Sequence, residues 1–335
     1  MRSNLSWSQS DLTIMKCPAT GVRLNLEDDS RGQKSIVSET VCYPIDSDIA
    51  LFLDTAATTQ LQKESLDSYS RIINYYDQAI DWLFASTKTN EPNLRRKMID
   101  ELRLELNSKV VDVGAGTGRD SIEIIRRLGA EGRLYVHDIS TEMLRSAKLR
   151  LAEIDISARC RIIQGSAGNL PFEDGSLDAV YSFGGLNEFG NFSQVLKEFA
   201  RVVRIGGRIV VGDEGVAPWL TGSEHHRILA ANNPIFFSNP LPINHLPENA
   251  NEVSLQWVLG NAFYLLSFTV GSSPPELDLD LEHNGRRGGS LRTRYFGALD
   301  GVDPILRQEI VEAASREGLS VRNWLEKTLR RQLND

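Results

Sequence analysis

Ten residues, Lys109-Val-Val-Asp-Val-Gly-Ala-Gly-Thr-Gly118, bring an acid and three glycines within reach of one ligand. The apolar run ending in Asp112 reads as a strand that enters a turn at Gly114, Gly116 and Gly118. A backbone without Cβ atoms can approach a nucleoside closely and can adopt positive φ. The helix expected from Asp120 to Leu128 offers free N–H groups to a carboxylate or phosphate. A dinucleotide fingerprint needs a glycine at position 119, where this chain has Arg119, so a nicotinamide cofactor is a minor alternative. A second apolar strand, Arg133-Leu-Tyr-Val-His-Asp138, ends in the acid that a βαβ nucleoside site uses for ribose hydroxyls. Two plainer explanations compete: the glycine turn as tight packing, and Asp138 as a cap for a helix beginning near Ser140.

Elements that alternate along the chain must position these residues. Strands are expected near 109–113, 133–137, 161–164, 178–182 and 208–213, with a helix from Phe192 to Val203 before the last. Such alternation implies a parallel sheet with helices on both faces. Val253–Val258 and Ala262–Val270, joined through Gly260-Asn261, read as a closing hairpin. The fold class is therefore α/β, a Rossmann-like seven-stranded, mostly parallel sheet, with a small N-terminal β unit and a helical C-terminal tail.

Apolar residues make up 41% and charged residues 24% of the 335, the balance of an ordinary globular protein. The net charge of -8 opposes a surface built for phosphate backbones, so nucleic acid is a disfavoured partner. No apolar stretch approaches the ~20 residues of a membrane span, and the first ten residues lack the apolar core of a signal peptide. Three scattered cysteines, Cys17, Cys42 and Cys160, make no disulfide framework. These features lead to a cytoplasmic protein.

With Gly165-Ser-Ala-Gly-Asn-Leu-Pro-Phe172 and Gly175-Ser-Leu-Asp-Ala-Val-Tyr-Ser-Phe183 following in order, residues 68 to 270 resemble the class I S-adenosylmethionine-dependent methyltransferases. The similarity is greatest to the branch of the ubiquinone and menaquinone C-methyltransferases. The resemblance implies S-adenosylmethionine as cofactor. Asp112, Gly114, Ala115, Gly116 and Gly118 would cradle its methionine end and Asp138 its ribose. Ile139 and Met143 would sandwich the adenine. Ser166 stands where the family usually has an acid, and with the backbone of Ala167 it would contact the adenine. Phe183 and Gly184 would lie near the transferable methyl. One strand of the closing hairpin runs antiparallel in that family.

Methyl transfer is an in-line displacement that needs alignment and a dry site, and a base only where the acceptor has a proton to lose. His225 and His226 are the candidate bases, because an imidazole titrates near neutral pH, and surface histidines are the equal alternative. Glu188 and the pair Asp213-Glu214, at carboxyl ends of strands, are candidates to orient the acceptor or face the sulfonium. Asn187 and Tyr264 are secondary. The expected acceptor is a small apolar or aromatic metabolite such as a quinone or phenol. The alternatives are an RNA acceptor and a non-catalytic S-adenosylmethionine-binding regulator.

The expected organisation has five parts. Residues 1–57 resemble a zinc ribbon whose ligand set has decayed, since Thr20 stands where a second cysteine would follow Cys17; no metal is expected. Residues 58–108 form a helical lid, with Tyr69, Ile72, Ile73, Tyr76, Ile80, Trp82 and Leu83 at helical spacing. Residues 109–270 are the core, with a substrate-cap insertion at 214–252. A connector occupies 271–302, and 303–335 form a helix–helix tail. With a strand at Arg292–Gly297 the tail is similar to a ribbon-helix-helix unit, which implies a homodimer; a self-contained helical hairpin is the alternative.

Overall fold

In the computed structural model, residues 5–28, 30, 32–54, 58–154, 159–238, 240–285, 288–297, 299 and 302–334 are described. Parts of the expected N-terminal unit (1–4, 29, 31, 55–57) and connector (286–287, 298, 300–301) lie outside them. The chain divides into two units, 1–274 and 275–335.

The first unit begins with four short strands, β1 (Asn25–Asp28), β2 (Lys34–Val37), β3 (Cys42–Asp46) and β4 (Ile49–Leu51). Two helices follow, α1 (Gln60–Ser86) and α2 (Glu91–Asp100). The alternating core is β5 (Lys109–Val113), α3 (Arg119–Ile125), β6 (Arg133–Asp138), α4 (Thr141–Ala152), β7 (Arg159–Gln164), β8 (Leu177–Phe183), α5 (Phe192–Val202) and β9 (Val203–Glu214). The insertion folds into α6 (Glu224–Asn232) and α7 (Ile235–Ser238), and β10 (Ala250–Val258) and β11 (Phe263–Val270) close the unit.

Among the described residues, eleven strands form the sheet, in the order β1-β2-β3-β4-β7-β6-β5-β8-β9-β11-β10, where seven were expected. The seven core strands are there; four N-terminal strands extend them. Ile49, Ala50 and Leu51 pair in parallel with Ile162, Ile163 and Gln164, which covers the otherwise open edge of β7. Strands β7, β6, β5, β8 and β9 run parallel, and β11 is antiparallel to both β9 and β10. The chain steps from β5 to β6 and β7 on one side, then to β8 on the other. A crevice therefore opens at the carboxyl end of β5, where open sheets bind ligands.

Both faces of the sheet are covered. Val111, Val113, Tyr135 and Ile163 meet α5 through Val195, Leu196, Phe199 and Val202, a stripe at helical spacing. Burying each such side chain is worth about 1.5–3 kcal/mol. Trp7, Leu12, Met15 and Ile36 join this same core, so the N-terminal segment packs into it. The opposite face buries Val110, Leu134, Val136 and Ile162 against α2, α3 and α4. Cys17 and Cys42 do not converge: Cys17 Sγ is buried 3.1 Å from Tyr43 Oη, whereas Cys42 is exposed.

Helix α1 has a different character. Thr59 and Gln62 form a capping box at its start, and Phe84 is its single fully buried residue among its 27. Gln62, Ser65, Leu66, Tyr69, Ile73, Tyr76, Asp77, Ile80 and Leu83 make a half-buried stripe, and the rest face outward. Trp82 is off this stripe and 69% exposed. No helix among the described residues is long and apolar enough to cross a membrane.

In the second unit the strand expected at Arg292–Gly297 is instead a helix, α8 (Leu291–Phe296). The reason is local: Ser290 caps it by accepting from the N–H of Thr293. The connector is not detached from the tail, because Arg292 bonds Asp280 at 2.9 Å and Arg322 bonds Glu282 at 2.7 Å. Helix α9 (Pro304–Arg316) starts at the Asp303 cap with proline in its first turn, and α10 (Val321–Asn334) follows after Gly318 at φ +66°. Without the strand, the ribbon-helix-helix reading fails; the helices form a hairpin.

Candidate functional site

The carboxyl ends of β5 and β6 are stitched together by the glycine turn. Gly114 and Ala115 donate their N–H groups to the His137 carbonyl at 2.8 and 3.0 Å, and Gly116 N–H donates to Asp138 Oδ2 at 2.8 Å. Two glycines favour this turn for different reasons. Gly116 holds a left-handed φ of +54°, which an L side chain rarely adopts, while a Cβ there would meet Tyr76 Oη only in ordinary contact at 3.4 Å. At Gly118 (φ +80°) a Cβ would stand 3.0 Å from Ala147 Cβ, so this residue lets α3 pack on α4. Gly118 lines neither of the two pockets at this turn.

Two adjoining pockets share this turn. The first is walled by Asp138, Ile139, Met143, Ser166, Ala167 and His137, with Gly114, Gly116, Glu188 and Phe189 at its other end. The second contains Asp112, Ala115, Phe183, Gly184 and Glu214, with Ile72, Ile80, Leu83, Phe84 and Phe263 as apolar walls. Tyr69, Tyr76, Gly114, Gly184 and Glu188 border both. Tyr75, the neighbour of Tyr76, is 67% exposed and points away.

The acids differ in what they await. Asp138 is buried, with Oδ1 accepting from Ser140 N–H and Oδ2 from Gly116 N–H, both at 2.8 Å. It lines the pocket and steadies Ser140, the residue that caps α4 by accepting from Met143 N–H. Burial pushes its carboxyl up to about 6, although those backbone donors oppose the rise. Asp112 is buried too and accepts from Ser121 Oγ at 2.6 Å. Burial, then the nearby charge of Asp120, pushes it up to about 8. A carboxyl so placed is primed for a cation. Asp120 itself pairs with Arg95 at 2.7 Å.

Helix α1 is pinned over this site by Arg119, the residue that excluded the dinucleotide fingerprint. Its guanidinium reaches Asp77 at 2.9 Å, Asp81 at 2.8 Å and Glu91 at 2.9 Å. Arg150 also bonds Asp77, and Thr117 donates to it at 2.8 Å. At the other end of the helix Ser65 donates to Glu188 Oε2 and Gln62 donates to Ser166 Oγ.

The proposed bases stand elsewhere. His226 accepts from Gly222 N–H at Nδ1 (3.0 Å) and pairs through Nε2 with the Phe236 carbonyl (2.9 Å), so both ring nitrogens staple the insertion. His225 is exposed on α6, and neither histidine lines either pocket. Ala230 of α6 and Phe236 of α7 pack with Phe84 and Phe263, a cluster that includes neither histidine. Asp213 is a structural acid: its oxygens accept from the N–H groups of Asn187 (2.7 Å) and Glu214 (2.8 Å), and burial and the charge of Glu214 hold it well above the ordinary carboxylate range. It thereby holds the turn carrying Glu188. Asn187 donates to the Glu214 carbonyl at 3.2 Å, and Tyr264 is buried in the core; neither lines the pockets.

Several pocket residues went unnoticed in the sequence, among them Gln62, Ser65, His137 and Phe189 in the first pocket and Phe84, Arg95 and Phe263 in the second. Only His137 left a signal, an imidazole inside an apolar strand beside the acid. It is buried, both ring nitrogens lack a partner among the described residues, and burial pushes it down to about 4.

Residues 110–207 match a family model described as a methyltransferase domain. The chain carries a methyltransferase domain. It is similar to the ubiquinone/menaquinone biosynthesis C-methyltransferase of Idiomarina loihiensis, with 32% identity over 117 residues, 35% of this chain and 47% of that protein. It is likewise similar to the demethylmenaquinone methyltransferase of Bacillus mycoides, with 32% identity over 35% of this chain and 48% of that one. The chain thus spans about half the length of these relatives. Among solved structures, a phosphoethanolamine N-methyltransferase of Haemonchus contortus is similar at 13% identity and a TM-score of 0.49, covering 64% of this chain and 61% of that one; that likeness carries no inference. The site of this methyltransferase domain fits S-adenosylmethionine: a buried acid for the ammonium, an acid for the ribose, an apolar slot for the base and a glycine turn with no Cβ to obstruct it.

Proposed function

We propose that the protein transfers a methyl group from S-adenosylmethionine to a small apolar or aromatic acceptor, such as a quinone or phenol, in the cytoplasm. The observation that carries this reading is that Asp112 and Asp138 flank the glycine turn in adjoining pockets, one of which continues into walls of Phe183, Phe263, Ile80 and Phe84. When bound, the cofactor supplies an activated methyl carbon on a sulfonium. Asp112 holds the ammonium, Asp138 the ribose hydroxyls, and Ile139 and Met143 the base.

Phe183 and Phe263, stacked with centroids 5.8 Å apart, exclude water and offer a flat face to the acceptor. Tyr69 and Tyr76 stay neutral, because burial raises both phenols, and they close the mouth from α1. Where the acceptor must lose a proton, Glu188 receives it at Oε1, since Ser65 donates to Oε2. The cofactor would supply the methyl that replaces this proton on the acceptor, and Glu188 would hold the proton. In this reading His225 and His226 take no part. The exposed side chains Ile305, Leu306 and Leu333 of the tail support pairing of two chains.

The test is calorimetric titration with S-adenosylmethionine, then mass-spectrometric assay of methylated product across a panel of quinones and phenols. Binding with turnover on the panel supports the reading. Absence of binding at millimolar cofactor would sink it. Native mass spectrometry of the full chain against one lacking residues 303–335 tests the pairing.

A further inference from the structure

The second pocket is lined by four acids, Asp112, Asp120, Glu188 and Glu214, and by two basic residues, Arg95 and Arg119. Both guanidiniums are committed elsewhere. Arg95 pairs with Asp120 and with Glu91, each at 2.7 Å, and lies over the Phe84 ring at 5.2 Å. Arg119 is divided among Asp77, Asp81 and Glu91. Glu188 accepts from Ser65, and Asp112 accepts from Ser121 and awaits the cofactor ammonium. Glu214 pairs with no basic side chain among the described residues. The sheet sets its direction: Glu214 is the register partner of Phe263 across β9 and β11, and such partners project from one face. Phe263 stacks on Phe183, and Ile80 and Leu83 extend the wall. The neighbouring Asp213 does not neutralise Glu214. Burial, then the charge of Glu214 and a hydrogen bond to it, hold the Asp213 carboxyl well above the ordinary range, so Asp213 keeps the proton and Glu214 the charge.

We propose that the acceptor pocket is built for a protonated arylalkylamine, with its ammonium on Glu214 and its ring against Phe183 and Phe263. The inference rests on the S-adenosyl reading given above and narrows its acceptor to molecules that carry a cation beside an aromatic ring. It concerns the group that anchors the acceptor, not the atom that takes the methyl. A wholly apolar molecule against these walls strips water from the carboxylate and returns no partner, which is costly for a charge. A quinone has no donor to offer, and a phenol offers one neutral O–H. An ammonium supplies both donors and the missing charge, and hydrogen bonds of that kind are the stronger ones. The exposed faces of Phe183 and Phe263 attract the same cation.

The experiment is calorimetric titration of the full chain, saturated with S-adenosylhomocysteine at neutral pH, with two matched pairs: 2-phenylethylamine against 2-phenylethanol, and tryptamine against tryptophol. The native protein is expected to bind each amine at least about tenfold more tightly than its alcohol. Glu214→Gln is expected to bring each ratio within about threefold, chiefly by weakening the amine. A native ratio under threefold, or no binding by either member of both pairs, overturns the inference while leaving the cofactor reading intact. So does an equal loss of amine and alcohol in Glu214→Gln, the mark of a merely structural acid. A Glu214→Gln that keeps the native ratio but weakens S-adenosylmethionine and spares S-adenosylhomocysteine assigns the carboxylate to the sulfonium, and also overturns it. If S-adenosylhomocysteine does not bind the native protein, both readings fall.

Discussion

Asp138→Asn isolates the acid on which ribose recognition depends. Both carboxylate oxygens already accept a backbone N–H at 2.8 Å, from Gly116 and Ser140, and each has a second lone pair for a ribose hydroxyl. Asparagine keeps one acceptor oxygen, turns an amide donor toward one of those N–H groups and loses the charge. Hydrogen bonds to a charged group are worth about 1.5–3 kcal/mol. One such loss predicts roughly a 10–150-fold rise in the dissociation constant for S-adenosylhomocysteine at pH 9. The pH profile is the sharper signature. Asp138 must be ionised to accept both hydroxyls, so affinity should fall tenfold per unit as pH drops below about 6. Asp112 adds a separate step near 8, below which its charge for the ammonium is lost. The variant should lose the lower step, and its upper step should move below 8, because the charge of Asp138 helps to raise Asp112. Folding stability runs the other way: a carboxyl raised to about 6 binds protons more tightly folded than unfolded. Its contribution is greatest below the unfolded value of about 3.9 and is lost as pH rises through about 6. Titration calorimetry from pH 5 to 9 reads the two affinity steps, and urea titration from pH 3 to 7 reads the stability. A loss under threefold with both steps intact would refute the assignment.

Arg119→Ala should release α1, whose Asp77 and Asp81 it pairs with while also reaching Glu91 at the start of α2; amide exchange over residues 60–86 should quicken by about 1–3 kcal/mol of opening energy while β5 and β6 stay protected. Unchanged exchange there would mean that other contacts hold the helix. Gly118→Ala should destabilise by about 2–5 kcal/mol in urea titration, the sum of a left-handed penalty and crowding against Ala147. His226→Ala should lower stability by about 1–3 kcal/mol through its two backbone bonds yet leave the pH–rate profile alone, and His225→Ala should stay within about 0.5 kcal/mol. A shifted pH–rate profile in either would return a histidine to the chemistry.

Much of the frame was legible because backbone demands are written in residue types at short range. The run from Lys109 to Gly118 reads as a strand and a tight turn, since a short apolar run buried on both faces is followed by glycines at positive φ. Asp112 and Asp138 stand at strand ends because the strands end there. The helix at Leu291–Phe296 was misread where β-like composition competed with a single capping serine, and the cap won. The N-terminal strands were seen as a separate piece because nothing local in Ile49-Ala-Leu51 says that it will pair with Ile162-Ile-Gln164.

Partner choice over long separations belonged to the tertiary structure alone. Arg119 could be recognised as not glycine, but only the fold shows that it clamps Asp77, Asp81 and Glu91. Adjacent histidines in an insertion resemble a base until α6 turns its apolar side inward and spends His226 on two backbone groups. Ser166 and Gln62 meet across 104 residues of chain. The sequence by itself determined the strand, the glycine turn and the acids beside it, because φ, ψ and a short apolar run are properties of neighbours. The structure decided which side chains complete the site, because a hydrogen bond depends on direction and distance, and those exist only once helix α1 lies across the strand ends.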